Sequence, residues 1–200
     1  MARRRPFRRR SLRGRPLRRP PLPPRARRAL IRANRLMDTG SAEEAAALFD
    51  RLIERADRAG LPLRAAALRL QASRAYLRAN DVDSAAERAE RGLLTFARNG
   101  QIERTRRLLA RATDALREQG YVQEAEKLKA DVESALEGEP TYPEEADEPE
   151  EAQRLAESVS RASLPASCTG CGAPLVPEEV EWHNAHTAEC LYCGTIVKGV

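Results

Sequence analysis

Aromatic residues and long apolar runs are scarce in this chain, and their scarcity limits what the protein can be. Aromatic residues make up 4% of the 200 residues and charged residues 32%, so small alanine-packed helices are expected rather than a large aromatic core. No stretch approaches the ~18 apolar residues that a membrane span needs. The N-terminal arginines are followed by no apolar segment, so we expect no signal peptide and a cytoplasmic protein without a membrane partner.

Residue patterns that carry catalysis are also lacking. The sequence contains no glycine-rich phosphate loop of the form G-x-x-x-x-G-K-[ST]. The chain has only two histidines, and both lie near the C-terminus. The rest of the sequence therefore offers no histidine that could act as a general base for a nucleophile. Carboxylates on the predicted helices stand at salt-bridge spacing, as in Glu87–Arg91 and Glu103–Arg107. We therefore expect neither an enzyme nor a small-molecule substrate.

Cysteine occurs only four times, in two C-x-x-C pairs: Cys168 with Cys171, and Cys190 with Cys193. The C-x2-C-x18-C-x2-C spacing lies in the range of zinc sites, because two intervening residues let one turn aim both sulfurs at the same ion. Four thiolates complete a tetrahedron and leave no position for water, which predicts one structural zinc ion. Two disulfides or a redox dithiol are alternatives, but nothing suggests secretion, and no βαβ pattern surrounds the pairs.

The segment 167–200 resembles a zinc ribbon. The resemblance rests on two C-x-x-C-G knuckles, in which Gly172 and Gly194 follow the second cysteine, where the chain must curl. It implies short hairpin strands at residues 173–176 and 195–197.

Three further residues between the knuckles are candidates for a role at the metal or on a partner. His183 and His186 are alternative metal ligands, but we favour surface positions on a central turn or strand of the ribbon. Trp182 is expected to cover the small core rather than to stack on a nucleic-acid base.

Helical periodicity dominates residues 26–137, where apolar residues recur at i, i+3, i+4 and i+7. Six such stretches are separated by turn residues at twenty-residue intervals, namely Gly40, Gly60, Asn80, Gly100 and Gly120. A repeat of two stretches therefore spans forty residues, which is typical of stacked helical hairpins that bury their apolar faces against each other. The fold class predicted is an all-α array of about three hairpins followed by a small β-rich ribbon.

The array resembles a tetratricopeptide repeat domain over residues 26–137. The resemblance rests on a small turn residue followed five positions later by alanine, as in Gly40 and Ala45, Asn80 and Ala85, Gly120 and Ala125. The period is forty rather than the thirty-four residues of that family, so each helix is about one turn longer. The resemblance implies that the concave face of the first helices binds a protein. Here that face would include Asn34, Arg74, Arg78 and Arg117, and its basic middle repeat could accept an acidic segment. The alternative is that these residues are ordinary solvated side chains on exposed helix faces.

Charge is strongly segregated along the chain. Residues 1–28 hold thirteen arginines and no acid, so the remainder carries −8, since the total is +5. Prolines and like charges predict a disordered arm at residues 1–25. Such an arm could lie along phosphates, which makes nucleic acid an alternative partner through the arm and the ribbon. A solvated tail, or an overlong assigned start, is the other explanation of the arm.

Residues 138–166 are interpreted as a linker between the array and the ribbon. Residues 137–151 contain eight acids, no base and three prolines, which forbid a stable helix. A short helix is predicted at residues 151–162 and a loop at 163–167. The acidic stretch could fold back on the arginine arm or on the basic groove. The whole organisation predicts an intracellular adaptor that binds an as yet unknown protein.

Overall fold

The structure, a computed structural model, describes residues 22–137, 162–177 and 180–199. The predicted arm up to residue 21, the acidic stretch and nearly all of the helix predicted at 151–162 lie outside these ranges. Within them the chain is mostly helical, as predicted. The helices are α1 (Pro24–Asp38), α2 (Ala42–Arg58), α3 (Pro62–Arg78), α4 (Val82–Arg98), α5 (Ile102–Glu118) and α6 (Val122–Glu137).

Each helix from α1 to α5 ends in the same hydrogen-bonded turn. Gly40, Gly60, Asn80, Gly100 and Gly120 adopt positive φ angles between 59° and 89°. The next residue returns its N–H to a carbonyl in the last helical turn, as Ser41 does to Leu36 over 2.9 Å. This is the Schellman arrangement, in which a left-handed residue satisfies carbonyls that the helix leaves open. The predicted breakers are therefore the residues that end the helices.

The start of α1 lies earlier than the residue at which helical periodicity begins. Pro24 occupies the first turn of α1, where its missing N–H is not needed and its fixed φ suits a helix. Pro62 opens α3 in the same way. Proline therefore begins two of the six described helices rather than breaking them.

Small residues pack the helices closely. Each helix packs on its neighbours in sequence, and α4 also packs on α6. A Cβ placed on Gly92 in α4 would stand 3.0 Å from the carbonyl oxygen of Ala66 in α3, which shows how near these helices approach. Phe49 and Phe96 are fully buried among many alanines. No helix in the described part is both long and apolar enough to cross a membrane.

A polar cluster connects helices α2, α3 and α4. The Tyr76 hydroxyl in α3 donates to Asp50 Oδ2 in α2 over 2.7 Å. Arg88 in α4 donates through Nε to Asp50 Oδ1 over 2.9 Å and through a terminal nitrogen to Oδ2 over 3.2 Å. The hydrogen bond to Asp50, and then burial, raise the pKa of Tyr76 above its ordinary value. The Asp50 carboxylate thus links α2, α3 and α4.

The C-terminal segment forms a three-stranded antiparallel sheet in the order β1 (Glu181–Asn184), β2 (Thr187–Glu189) and β3 (Ile196–Lys198). The strand predicted at 195–197 overlaps β3. The strand predicted at 173–176 was wrong, since that stretch forms only an isolated bridge between Ser167 and Pro174. Pro174 has no N–H to donate, so it cannot extend a ladder there. The segment between the two cysteine pairs supplies β1 and β2 instead.

Candidate metal centre and adjoining cavity

The two cysteine pairs are held by turns with the same hydrogen bonds. In the first knuckle, Gly172 N–H donates to the Cys168 carbonyl over 2.8 Å, and Cys168 N–H donates to the Ala173 carbonyl over 2.8 Å. In the second, Gly194 donates to Cys190 and Cys190 to Thr195, each over 2.9 Å. Gly172 and Gly194 have φ angles of 75° and 74°, which favour glycine. The prediction that the chain curls at Gly172 and Gly194 is therefore confirmed.

The four sulfurs converge on one point. Cys168, Cys171, Cys190 and Cys193 are all buried, free of disulfides, and their Sγ atoms lie within 4.8 Å of one another. The Cys168–Cys193 and Cys171–Cys190 sulfurs are 3.6 and 3.8 Å apart. A tetrahedron with metal–sulfur bonds of ~2.3 Å has edges of about 3.8 Å. Two edges therefore match a tetrahedral site, and all four sulfurs lie close enough together to share one metal ion.

Polar groups around the sulfurs suit thiolates. Gly170 N–H donates to Cys168 Sγ over 3.3 Å. The Thr195 hydroxyl oxygen lies 3.1 Å from Cys193 Sγ, where its proton can be donated to a metal-bound thiolate. Such partners orient ligands and tune a metal site.

Hydrogen bonds among the four thiols shift their pKa values in different directions. Hydrogen bonds from Cys171 and Cys190 lower the pKa of Cys168 to about 7. The bond to Cys168 likewise lowers the pKa of Cys193, and it raises the pKa of Cys171 and Cys190. Cysteine binds a metal ion as the thiolate, so metal binding at this cluster would release protons.

The histidines lie apart from this cluster. Among the described residues, the only group placed to hold a metal consists of the four cysteines. His183 is on β1, with Nε2 3.2 Å from Glu189 Oε2, and His186 lies in the exposed turn between β1 and β2. Trp182 is half-buried, and its indole N–H donates to the Pro177 carbonyl over 2.9 Å. The predicted turn and strand positions of both histidines match this arrangement.

The first knuckle docks on helix α1. Arg27 Nε donates to the Gly170 carbonyl over 2.7 Å, and Asn34 Nδ2 donates to the Cys171 carbonyl over 2.8 Å. Asn34 is only 5% exposed, and the buried cysteines belong to the same apolar cluster as the helices. Sequence reasoning missed this contact, because a lone asparagine and arginine at helical spacing carry no signal of a partner so distant in the chain.

A cavity of about 880 Å³ opens beside the docked knuckle. Its walls come from α1, α3 and α5 on one side and from residues 166–172 and Pro174 on the other. Three of the four residues predicted on the partner-binding face line it, namely Asn34, Arg74 and Arg78. Arg117 instead pairs with Glu126 over 2.6 Å and lines a second pocket between α5 and α6.

Ion pairs on the helices account for several of the carboxylates noted in the sequence. Glu87 pairs with Arg91 at 2.8 Å, as predicted. Glu103 pairs with Arg106, three residues on, at 2.6 Å. Both pairs are well exposed, so each contributes little to stability.

No known family, curated protein or solved structure matches this chain in the comparisons made. The chemical interpretation of the site therefore depends on its own residues.

Proposed function

We propose that the protein is a non-enzymatic intracellular adaptor, in which a tetratricopeptide-like array binds another protein and a zinc ribbon braces the array. One observation carries the proposal: the four-cysteine knuckle is docked on α1 beside a cavity lined by the first helix of each hairpin. A site closed by four thiolates has no position for substrate or water, which favours a structural metal over a catalytic one. The cavity then offers the array's basic face to a partner.

The proposed metal is a single Zn²⁺ ion. Tetrahedral sulfur sites take zinc or iron, and the two ions differ in colour and redox activity. Elemental analysis of freshly purified protein should find about one equivalent of zinc per chain, with no visible absorption. A full equivalent of iron would overturn the zinc assignment, while well under one equivalent of any metal would overturn the bracing role.

The binding role is tested with the tagged full chain. A lysate of the source organism is passed over it with and without nuclease, and captured proteins are identified by mass spectrometry. The proposal requires a captured protein that survives nuclease and binds again, at defined stoichiometry, after purification. If nuclease treatment releases every captured protein, the chain binds nucleic acid rather than protein. That result would favour the arginine-rich arm as the binding element and overturn the adaptor proposal.

A further inference from the structure

A buried amide without a hydrogen-bond partner lines the cavity. Gln71 in α3 is 2% exposed, and its Nε2 makes no hydrogen bond. An N–H group left unpaired in a buried position is destabilising, so such groups are uncommon unless a ligand or water satisfies them. Because Gln71 also lines the cavity, a ligand bound there could supply the missing hydrogen-bond acceptor.

Arginine side chains line the same cavity as that amide. Gln71, Arg74 and Arg78 stand at i, i+3 and i+7 on α3, and so share one helix face along about 10 Å. Arg35 of α1 also lines the cavity, and Asp38 is the one acid among the described lining residues. Arg78 donates one bond to the Met37 carbonyl over 3.2 Å, which leaves further N–H groups on the same guanidinium. Three arginines against one aspartate give the described part of the lining a net positive charge, which favours an anionic ligand.

The opposite wall belongs to the metal-binding segment. Ser167, Thr169 and Gly170 of the first knuckle line the cavity, and Gly170 is the residue whose carbonyl accepts from Arg27. The knuckle is positioned by its backbone carbonyls, which accept hydrogen bonds from α1. A bound metal ion would hold the turn that carries these carbonyls in shape. The cavity consequently exists only while the ribbon is folded and docked.

We propose that this composite cavity binds an acidic segment of a partner protein, whose carboxylates meet Arg74 and Arg78 and whose acceptor oxygen satisfies Gln71. This inference rests on the proposed adaptor function and adds to it the chemistry of the bound segment and a requirement for the metal-loaded ribbon. A cavity of this volume accommodates a few side chains rather than a long helix. Recognition is by charge and by a buried amide, so glutamine cannot replace glutamate in the ligand.

The test measures binding of a short fluorescein-labelled peptide of alternating glutamate and alanine to the full-length, metal-loaded protein by anisotropy. The matched ligand replaces each glutamate with glutamine. The double variant Arg74→Gln/Arg78→Gln should weaken binding of the acidic peptide by about tenfold or more, because hydrogen bonds to charged groups are the strong ones. The matched control Arg51→Gln/Arg98→Gln removes two exposed arginines that do not line the cavity and should leave affinity within about twofold.

Gln71→Met separates a binding role from a structural one. It should weaken the acidic peptide about fivefold while leaving the unliganded protein as thermally stable as the wild type or more so, because an unpaired polar group is removed. A lower melting temperature with unchanged binding would assign Gln71 to the core and overturn the proposal. Equal binding of the glutamine peptide would do the same.

Metal removal tests the composite nature of the cavity. Chelated full-length protein should lose the peptide, and added Zn²⁺ should restore binding. Tighter binding after chelation would show that the knuckle blocks the groove, and binding of a single-stranded oligonucleotide through Arg74 and Arg78 in preference to the peptide would assign the cavity to nucleic acid. Either result overturns this inference. A purified partner that still binds the Arg74→Gln/Arg78→Gln variant would overturn it too, while leaving the adaptor function intact.

Discussion

The side-chain amide of Asn34 donates a 2.8 Å hydrogen bond to the main-chain carbonyl of Cys171, 137 residues further along the chain. This bond joins the first helix to the metal-binding turn. Both groups are buried, so the loss of one partner leaves the other unsatisfied. The contact connects the four-cysteine cluster to the helical array.

The first prediction concerns this bond. Asn34→Leu keeps the side-chain volume but removes the donor, and we expect it to destabilise the docked ribbon by about 1–3 kcal/mol, because the Cys171 carbonyl loses its partner. The measurement is the rate of protease cleavage in the ribbon of the full-length protein. Asn99→Leu, which removes an exposed amide bonded to Thr95 four residues back, is the control and should have a much smaller effect. Equal rates for Asn34→Leu and wild type would contradict the prediction.

The second prediction concerns metal removal. Chelation under reducing conditions should unfold the ribbon while the helices persist, because structural zinc supplies roughly 10–16 kcal/mol in small zinc modules. Trp182, the only tryptophan, lies in β1, so its fluorescence reports on the ribbon alone, and far-ultraviolet circular dichroism reports on the helices.

Two further tests bear on the same prediction. Cys190→Ser should show the same change in tryptophan fluorescence without chelator. Added zinc should restore the original fluorescence of the chelated wild type but not that of the variant. Unchanged tryptophan emission after complete metal removal would show that the ribbon folds without the ion.

The third prediction concerns Tyr76. Tyr76→Phe removes the bond to Asp50 and should lower the free energy of unfolding at neutral pH by about 1 kcal/mol, since the group is partly solvated. The pKa of Tyr76 is raised in the folded state, so its contribution is fully present below the unfolded pKa of ~10 and is lost as pH rises through the folded pKa.

Denaturant titration of wild type and Tyr76→Phe at neutral pH and above pH ~10 checks this, because the difference between the two proteins should shrink at the higher pH. Tyr121→Phe, at a turn position between α5 and α6, is the matched control. A difference that grows with pH would refute the assignment.

The fourth prediction concerns the turn residues. Gly120 has a φ angle of 89°, and nothing lies within 4 Å of an added Cβ, so Gly120→Ala tests backbone conformation without a clash. It should destabilise the array by about 1–2 kcal/mol, because left-handed geometry is costly for alanine. Asn80, with a φ of 59°, is the one asparagine in the equivalent positions, and Asn80→Gly should be neutral or slightly stabilising. Thermal unfolding measures both changes, and an unchanged Gly120→Ala protein would contradict this explanation.

The sequence allowed prediction of the features that local chemistry determines. Left-handed turn residues at fixed intervals mark where helices end, and paired cysteines followed by glycine mark the knuckles. Both depend on residue types with few alternative uses. The prediction of a strand at 173–176 was wrong because it did not take into account that Pro174 has no N–H group to donate to a strand ladder. The docking of the ribbon could not be predicted, because Arg27 and Asn34 have the spacing of any polar helix surface and their partners are backbone carbonyls, which no residue type reveals.

Helix α1 emerges from the ribosome before any other described element, yet its Asn34 side chain finds its acceptor only when Cys171 has been made. During synthesis the leading helix therefore presents an incomplete surface, and chaperones or early partners have access to it. The first helix therefore receives its last contact only after the cysteine-bearing segment has been made and folded against it.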